Sequence, residues 1–359
     1  NSPSKDQSVS KRFLWSIIKV ALGIALLVYV VWSNWAPDSG QGLAHIWQKH
    51  IVEGEPIHAG YFVLAAAIYS ASVLITFGRW YVLVRAQDLP FTLPDALRLG
   101  LIGFFLSNFL PAGSVGGDII KAAFLAREQS RRTVAVATVL IDRAIGLWGL
   151  FWLVAILGIF FWAAGSPEIH NEPKLQWIVL GSVALVGVTL AVWLLLEILP
   201  EYRAVRFAGR LERIPKAGHS LAEFWRAIWM YRLRRGRILA ALSLALVGHV
   251  GFVLTFYFAA QTFLPPSSVG QIPTLQEHYL LVPIGMTIQA LFPSPGGMGG
   301  GEWGFGRMYA LVDPQMEPNG VLGSLVQRVI TWALGFIGYL VYLRMKPSLH
   351  TEETAAVDQ

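Results

Sequence analysis

The amino-acid sequence predicts an all-α polytopic membrane protein with about six full transmembrane helices and two re-entrant, broken-helix hairpins in an inverted repeat. Three observations predict this fold class. The chain is 55% hydrophobic and only 14% charged, whereas about a quarter of the residues of a soluble domain are charged. Several apolar runs reach the roughly 20 residues that span a bilayer. Two Gly/Pro-rich loops of similar sequence each follow a shorter apolar run.

The two loops share an eight-residue pattern. Residues 111–118 read Pro-Ala-Gly-Ser-Val-Gly-Gly-Asp, and residues 295–302 read Pro-Gly-Gly-Met-Gly-Gly-Gly-Glu. Each copy should break a helix, because proline removes a backbone donor and glycine relaxes the restriction on φ. Paired interruptions of this kind point to the binding site of a transporter. Two unrelated loops are the alternative, since the chain contains 35 glycines.

Lysine and arginine counts orient the predicted spans. The tail 1–12 is basic and precedes the first apolar run, 13–32, so we place it in the cytoplasm. This start resembles a signal sequence, but the apolar run is long and has no obvious cleavage site, so we expect it to be retained. The remaining spans are expected at 61–84, 133–164, 175–198, 238–263 and 321–343.

The two Gly/Pro-rich hairpins are predicted at 94–126 and 279–312, within a single transmembrane domain, 13–345. The first has basic, cytoplasmic flanks, whereas the loops around the second carry acids and no lysine or arginine. One hairpin therefore enters from each side, as in the inverted repeats of many secondary transporters. Basic residues after the last span place the tail 346–359 in the cytoplasm. We expect a multi-pass protein of the bacterial inner membrane with both termini in the cytoplasm.

The segment 200–237 carries ten lysines or arginines against three glutamates. Leu221, Phe224, Trp225 and Ile228 follow the spacing of one helix face. The pattern is typical of an amphipathic helix that lies on the cytoplasmic leaflet and attracts anionic lipid. An ordinary basic cytoplasmic loop is the alternative, and it gives the same orientation.

Ionisable residues at membrane depth are costly, so each one is a candidate functional residue. Asp118 and Glu302 end the two loops, where they would either cap the following helix or bind a cationic head group or a proton. The glycines before them would leave backbone N–H groups free to face an anion such as a lipid phosphate. The candidate substrate-binding residues are Asp118, Glu302, Arg143, Lys121, Arg328, Arg79, Asn108, Gly116, Gly117, Gly300 and Gly301.

The basic candidates suggest ion pairs within the apolar runs. Arg143, which follows Asp142, would pair with Glu302, or Arg328 would pair with Asp118.

The basic candidates Lys121 and Arg79 have different expected roles, and further polar residues are weaker candidates. Lys121 lies one turn after the first loop acid and would share a bound phosphate. Arg79 lies near the end of its span and would either serve a site or extend to the interface. Three polar residues, Asn108, Gln289 and His249, are weaker candidates.

Catalytic and metal-binding motifs are missing from the sequence. Neither glycine loop ends as a phosphate-binding Walker loop does, and the sequence has no His-Glu-x-x-His, Gly-x-Ser-x-Gly or Cys/His cluster. We therefore predict no metal, no cofactor and no enzymatic activity. The net charge of +6 is assigned to membrane topology and not to nucleic-acid binding.

The charged and glycine-rich motifs together resemble the lysylphosphatidylglycerol synthase transmembrane, or flippase-like, family over roughly residues 10–345. They are Arg79, Asn108-Phe-Leu-Pro-Ala-Gly-Ser-Val-Gly-Gly-Asp118, Asp142-Arg143-Ala-Ile-Gly-Leu and Pro293-Ser-Pro-Gly-Gly-Met-Gly-Gly-Gly-Glu302. The resemblance implies lipid handling, because the best-known member couples an aminoacyl-transferase domain to a flippase. Relatives without that domain are linked to polyprenyl-linked sugars or to unassigned lipids. The synthase activity is not expected here, since the sequence has no soluble stretch of that size.

These observations favour a lipid translocase. It would bind the head group of an anionic or aminoacylated phospholipid, or of a polyprenyl-linked lipid, in a central cavity between the two hairpins. The alternatives are an intramembrane transferase acting on a lipid phosphate and a non-transporting partner of a lipid-synthesis enzyme. The expected partners are the lipid substrate and an anionic membrane surface at 200–237, with no nucleic acid. A lipid-synthesis enzyme and a second copy of the chain stay open as further partners.

Overall fold

The structure of the protein, a computed structural model, describes residues 5–36, 42–110, 116–128, 131–215, 218–264 and 270–357. In these ranges the chain forms helices, turns and loops and no strand, which confirms the predicted all-α class. The α-helices are α1 (Lys5–Ser33), α2 (Leu43–Trp47), α3 (Ala59–Arg85), α4 (Leu93–Phe109), α5 (Gly116–Glu128), α6 (Arg132–Ala163), α7 (Pro167–His170), α8 (Pro173–Ile198), α9 (Glu201–Glu212), α10 (Gly218–Leu233), α11 (Arg235–Gln261), α12 (Leu275–Leu291), α13 (Gly300–Val312) and α14 (Glu317–Val357). Residues 1–4 of the predicted tail and 111–115 of the first loop lie outside the described residues.

Six helical segments of the described chain are long and apolar enough to cross a membrane, which is the predicted number. They are Leu14–Ser33, Ala59–Arg85, Arg132–Ala163, Pro173–Ile198, Arg235–Gln261 and Pro314–Arg344. The apolar runs in the sequence located them because a helix needs roughly 20 apolar residues to cross the hydrocarbon core. The sides from which the two hairpins enter the membrane stay a prediction.

Each Gly/Pro-rich loop separates a 17-residue helix from a 13-residue helix. The two helices of each pair, α4 with α5 and α12 with α13, pack against each other. Both longer helices start at a threonine cap. Thr92 accepts a hydrogen bond from the Asp95 N–H at 3.3 Å, and Thr274 forms a capping box with Glu277. These caps satisfy backbone donors that the first helical turn leaves without a partner.

A run of four helices that includes one broken pair occurs twice in the chain. The first unit, α3–α6, recurs as the second unit, α11–α14, and the leading helices α3 and α11 are each 27 residues long. These two helices pack antiparallel. Tyr61, early in α3, stacks on Phe258, late in α11, whereas Ile75, late in α3, contacts Gly248 near the middle of α11. Antiparallel packing of equivalent helices is the geometry that the predicted inverted repeat requires.

Equivalent glycines bring the two helices of each broken pair close together. A Cβ added to Gly103 of α4 would lie 2.7 Å from Cγ of Lys121 on α5. A Cβ added to Gly285 of α12 would lie 2.6 Å from Cε1 of Phe305 on α13. Lys121 and Phe305 occupy the same position in their helices, counted from the first residue of each. The two units therefore share a contact between a glycine of the longer helix and a side chain of the shorter helix, but the side chain differs.

The basic segment 200–237 contains α9, α10 and the first residues of α11, and the predicted apolar stripe falls within α10. The apolar stripe lies on α10, but Phe224 packs against a buried core cluster, and the Trp225 indole donates a hydrogen bond to a carbonyl of α9 at 3.1 Å. Exposed apolar side chains lie on both helices, since Leu221 of α10 is 41% exposed and Tyr202 and Val205 of α9 are 56% and 64% exposed. Contact of this segment with the cytoplasmic leaflet stays a prediction, because periodicity marks an apolar stripe without showing whether lipid or protein covers it.

The proposed entry sides can be measured with single cysteines, since the chain contains none. Leu93→Cys and Arg127→Cys flank the first broken pair, and Leu275→Cys and Gln315→Cys flank the second; the four positions are exposed. We expect a membrane-impermeant maleimide to label the first two only from the cytoplasmic side and the last two only from outside. Labelling of the two flanks of one pair from opposite sides would show that this pair crosses the membrane.

Gly117→Ala should destabilise the contact between α4 and α5. An added Cβ would overlap the Gly103 carbonyl, and the Gly117 N–H donates to the Ser107 hydroxyl at 3.2 Å. Overpacking costs about 1–3 kcal/mol, so the melting temperature in detergent should fall. Gly187→Ala on α8, where an added Cβ meets nothing within 4 Å, is the matched control and should not lower it. Equal melting temperatures for the two variants would contradict the packing.

Candidate functional site

A cavity of about 320 Å³ lies between the two units and is lined by residues of both. Its volume is at the lower end of the range of about 300–1,000 Å³ for small-molecule sites. Six of the candidate substrate-binding residues line it, namely Arg79, Asn108, Asp118, Lys121, Arg143 and Arg328.

Asp118, at the start of α5, holds the charged cluster of the first unit together. Its carboxylate accepts one ion pair from Lys121 at 2.9 Å and another from Arg143 of α6 at 2.8 Å. The three side chains are 12–24% exposed, so the cluster remains accessible from the cavity. Arg143 also donates to the carbonyl of Ala290 at the end of α12, at 2.6 Å. This arginine therefore connects the first unit to the second.

Glu302 is the equivalent acid of the second unit, and it is fully buried. One carboxylate oxygen accepts a hydrogen bond from the Gly299 N–H at 2.7 Å, and the other pairs with Arg328 of α14. The capping role weighed for this residue is thus present. Glu302 does not line the cavity, whereas its partner Arg328 does.

The expected pairs of Arg143 with Glu302 and of Arg328 with Asp118 are wrong, because each acid pairs within its own unit. Arg143 lies 25 residues after Asp118, and Arg328 lies 26 residues after Glu302. In each unit the long helix that follows the broken pair packs against its shorter helix. This connection brings the arginine back to the acid that starts the shorter helix.

A third ion pair joins α3 to α6 within the first unit. The Arg79 Nε donates to the Asp142 carboxylate at 2.7 Å, and the two side chains are 7% and 9% exposed. The Arg79 guanidinium lies against Gly146, where an added Cβ would be 3.1 Å from two of its nitrogens. Asp142 is a cavity residue that the candidate set omitted. Its position inside an apolar run, beside a selected arginine, was a sufficient signal.

Uncharged polar residues complete the cavity wall. The Tyr69 and Thr331 hydroxyls are hydrogen-bonded at 2.8 Å, and the His249 Nε2 donates to the Gly146 carbonyl at 2.8 Å. His249 and Gln289, which ranked as weaker candidates, line the cavity. Tyr69 and Thr331 were missed because single hydroxyl residues in apolar runs have no distinguishing pattern.

The structure does not bring the four predicted glycines to the cavity. Gly116 and Gly117 are buried, and the Gly117 N–H already has a hydroxyl acceptor. Gly300 and Gly301 are also buried, against the side chains of Phe292 and Gln289, respectively. Close packing of helices accounts for these glycines.

Two buried nitrogens that belong to cavity-lining arginines have no acceptor among the described residues. They are Nη1 of Arg79 and Nη2 of Arg328. Buried polar groups are generally hydrogen-bonded, and a charged group without a partner is costly. The cavity is therefore rich in cationic donors. The described residues contain no group of three or more side chains arranged to hold a metal ion.

Comparison with known proteins gives one family and one distant relative. The family model described as "Lysylphosphatidylglycerol synthase TM region" matches residues 16–338. The UPF0104 membrane protein of Pyrococcus horikoshii is 29% identical over 87 residues, which are 24% of this chain and 26% of that protein. The match thus spans about a quarter of the length of this curated relative. No solved structure matches the chain significantly.

Breaking one buried ion pair should cost more than replacing both partners. Arg328→Met would leave the Glu302 carboxylate buried without a cation, and we expect a loss of about 3–5 kcal/mol in unfolding free energy. Arg328→Met/Glu302→Gln should recover much of this loss, because neither remaining group is charged. Denaturant unfolding in detergent micelles measures both values.

An exposed ion pair provides the control for that comparison. Arg307 and Glu317 pair at 3.0 Å with side chains 55% and 25% exposed, so Arg307→Met should cost no more than about 1 kcal/mol. If the double variant of the buried pair loses as much stability as the single variant or more, an unpaired charge at Glu302 is not the cause of the loss.

Proposed function

The chain belongs to the family described as the lysylphosphatidylglycerol synthase TM region, and from this premise we propose that it is a lipid translocase. The head group binds in the cavity between the two units, and the acyl or prenyl chains stay in the bilayer. One observation carries the proposal, namely a cavity lined by four basic side chains inside a protein with six apolar spans. Charged residues inside a transmembrane bundle typically mark a substrate pathway.

The repeat suggests how the cavity would open to each leaflet in turn. In inverted-repeat transporters one repeat rocks against the other around a fixed midplane site. The contact between Arg143 and the Ala290 carbonyl joins the two units, as does the packing of Asn108 against Gly296 of the second loop. We propose that these contacts form in one access state and break in the other.

The acids of the two loops receive different roles in this proposal. Asp118 lines the cavity and is partly exposed, so it orients the basic side chains that meet the head group. Glu302 acts as a positioning residue, since it is buried and reaches the cavity only through Arg328. The paired substrate-binding roles expected from the sequence thus become one direct role and one indirect role.

The basic helix α9 would hold the protein on an anionic cytoplasmic leaflet. Arg203, Arg206 and Arg210 line a surface pocket together with Phe207 and Trp225. Arginines beside exposed aromatic side chains suit the interface between anionic head groups and acyl chains. We also propose, from the same charge distribution, that this multi-pass protein lies in the bacterial inner membrane with cytoplasmic termini.

Lipid flip-flop in proteoliposomes tests the proposed function. The panel is fluorescent phosphatidylglycerol, its lysyl derivative, phosphatidylcholine and a polyprenyl phosphate. We expect wild type to flip at least one of them, and Arg143→Gln to lose about tenfold or more of that rate, since a charged hydrogen bond is worth roughly 1.5–3 kcal/mol. Lys49→Gln, which removes an exposed ion pair, is the control and should flip normally.

Two results of this experiment would contradict the translocase proposal. If correctly inserted wild-type protein flips none of these lipids, the protein is not a translocase for this class. Chemical conversion of the polyprenyl phosphate or phospholipid during the incubation would instead identify the intramembrane transferase.

A further inference from the structure

Among the described residues, the charged side chains around the cavity carry one more positive charge than negative charge. Four basic residues line it, namely Arg79, Lys121, Arg143 and Arg328. Three acids are bound to them, namely Asp118, Asp142 and Glu302. A site enclosed by apolar helices is least costly when its charges are compensated. One further negative charge would therefore balance the positive charge of the cavity wall.

The surplus charge lies in the Asp118 cluster. The pairs of Arg79 with Asp142 and of Arg328 with Glu302 are one-to-one and buried. Asp118 instead accepts ion pairs from both Lys121 and Arg143. This cluster is also the most exposed of the three, so the uncompensated charge lies where a ligand can reach it.

The repeat indicates that the fold does not require this extra charge. Lys121 occupies the position on α5 that Phe305 occupies on α13, and each side chain packs against the equivalent glycine of the longer helix. The second unit makes the same helix contact with an apolar ring and a one-to-one pair of Glu302 with Arg328. Lys121 thus adds a charge that the equivalent contact in the other unit lacks.

The hydrogen-bond donors of the cavity, like its surplus positive charge, favour an anionic ligand. Nη1 of Arg79 and Nη2 of Arg328 are buried donors without an acceptor among the described residues, and both side chains line the cavity. A phosphodiester provides several acceptor oxygens and a single negative charge, and guanidinium groups match phosphate oxygens in geometry. An ammonium-bearing head group would add donors and positive charge to a wall that already has both in excess.

We propose that the lipid bound in this cavity has a phosphodiester head group with one net negative charge, and that Lys121 sets this selectivity. The inference rests on the proposed function only for the cavity being a lipid site. Phosphatidylglycerol fits this class. A zwitterionic phospholipid leaves the surplus charge in place, and lysylphosphatidylglycerol, with one net positive charge, raises it to two.

Native mass spectrometry of lipid binding to the detergent-solubilised protein tests the proposal. The lipids are phosphatidylglycerol, phosphatidylcholine, lysylphosphatidylglycerol and phosphatidic acid. We expect wild type to bind phosphatidylglycerol about tenfold or more tightly than phosphatidylcholine, and the lysyl derivative least tightly. Lys121→Met should remove this preference, because it removes the surplus charge. Lys121→Arg should retain it, and so should the exposed control Lys49→Gln.

A second variant changes the charge in the opposite direction and does not depend on the lysine substitution folding. Asp118→Asn raises the surplus to two, so binding should shift by about tenfold toward phosphatidic acid, whose phosphomonoester can carry a second negative charge. Equal binding of all head groups by wild type would overturn the inference, as would preference for the lysyl derivative or an unchanged preference in Asp118→Asn. Selective binding without flipping would reject the translocase and leave the head-group assignment standing.

Discussion

The pairing of an acid with an arginine at each helix break is the interaction on which the rest of the structure depends. A helix that starts inside an apolar bundle exposes backbone donors and needs an acceptor for them. In the second unit, Glu302 supplies that acceptor to the Gly299 N–H and binds Arg328 with its other oxygen. The carboxylate therefore compensates a helix start and a buried cation at once. The same pairing in the first unit ties α5 to α6 through Asp118 and Arg143.

The repeated architecture leads to different outcomes in its two halves. The second loop is covered by α1, where an added Cβ at Gly23 would lie 2.7 Å from Ser294 and 3.1 Å from the Met298 carbonyl. Phe305 fills the adjoining helix contact, and the acid of this unit is fully buried. The first unit places Lys121 in the equivalent contact and leaves its acid partly exposed to the cavity. The acid of one half is thus enclosed and reaches the cavity only through Arg328, while the acid of the other half lines the cavity directly.

Much of this fold could be predicted from the sequence, because its strongest signals are local. Apolar run length located the six spans, and the repeated Pro, Gly and acid positions located both helix breaks. The pairing within the site could not be obtained in the same way, since run length does not show which helices become neighbours. The similar separations from Asp118 to Arg143 and from Glu302 to Arg328 were visible in the sequence, but they acquire meaning only once the units are known to repeat. Nothing in the sequence distinguished Tyr69 from the other tyrosines in apolar runs.

The charge balance of the cavity relates binding to the proposed movement of the two units. Closing apolar helices around an uncompensated charge is costly, because the charge loses water without gaining a partner. With one surplus positive charge on its wall, the cavity is easier to close when it holds a single negative charge than when it holds none. A ligand can drive a conformational change only by binding one state more favourably than another. A phosphodiester head group with one net negative charge would meet that requirement here. A head group with no net charge would leave the cost of closure unchanged, and a cationic one would increase it. The same surplus charge would therefore account for both the selection of the lipid and the advantage of moving it in an occluded state.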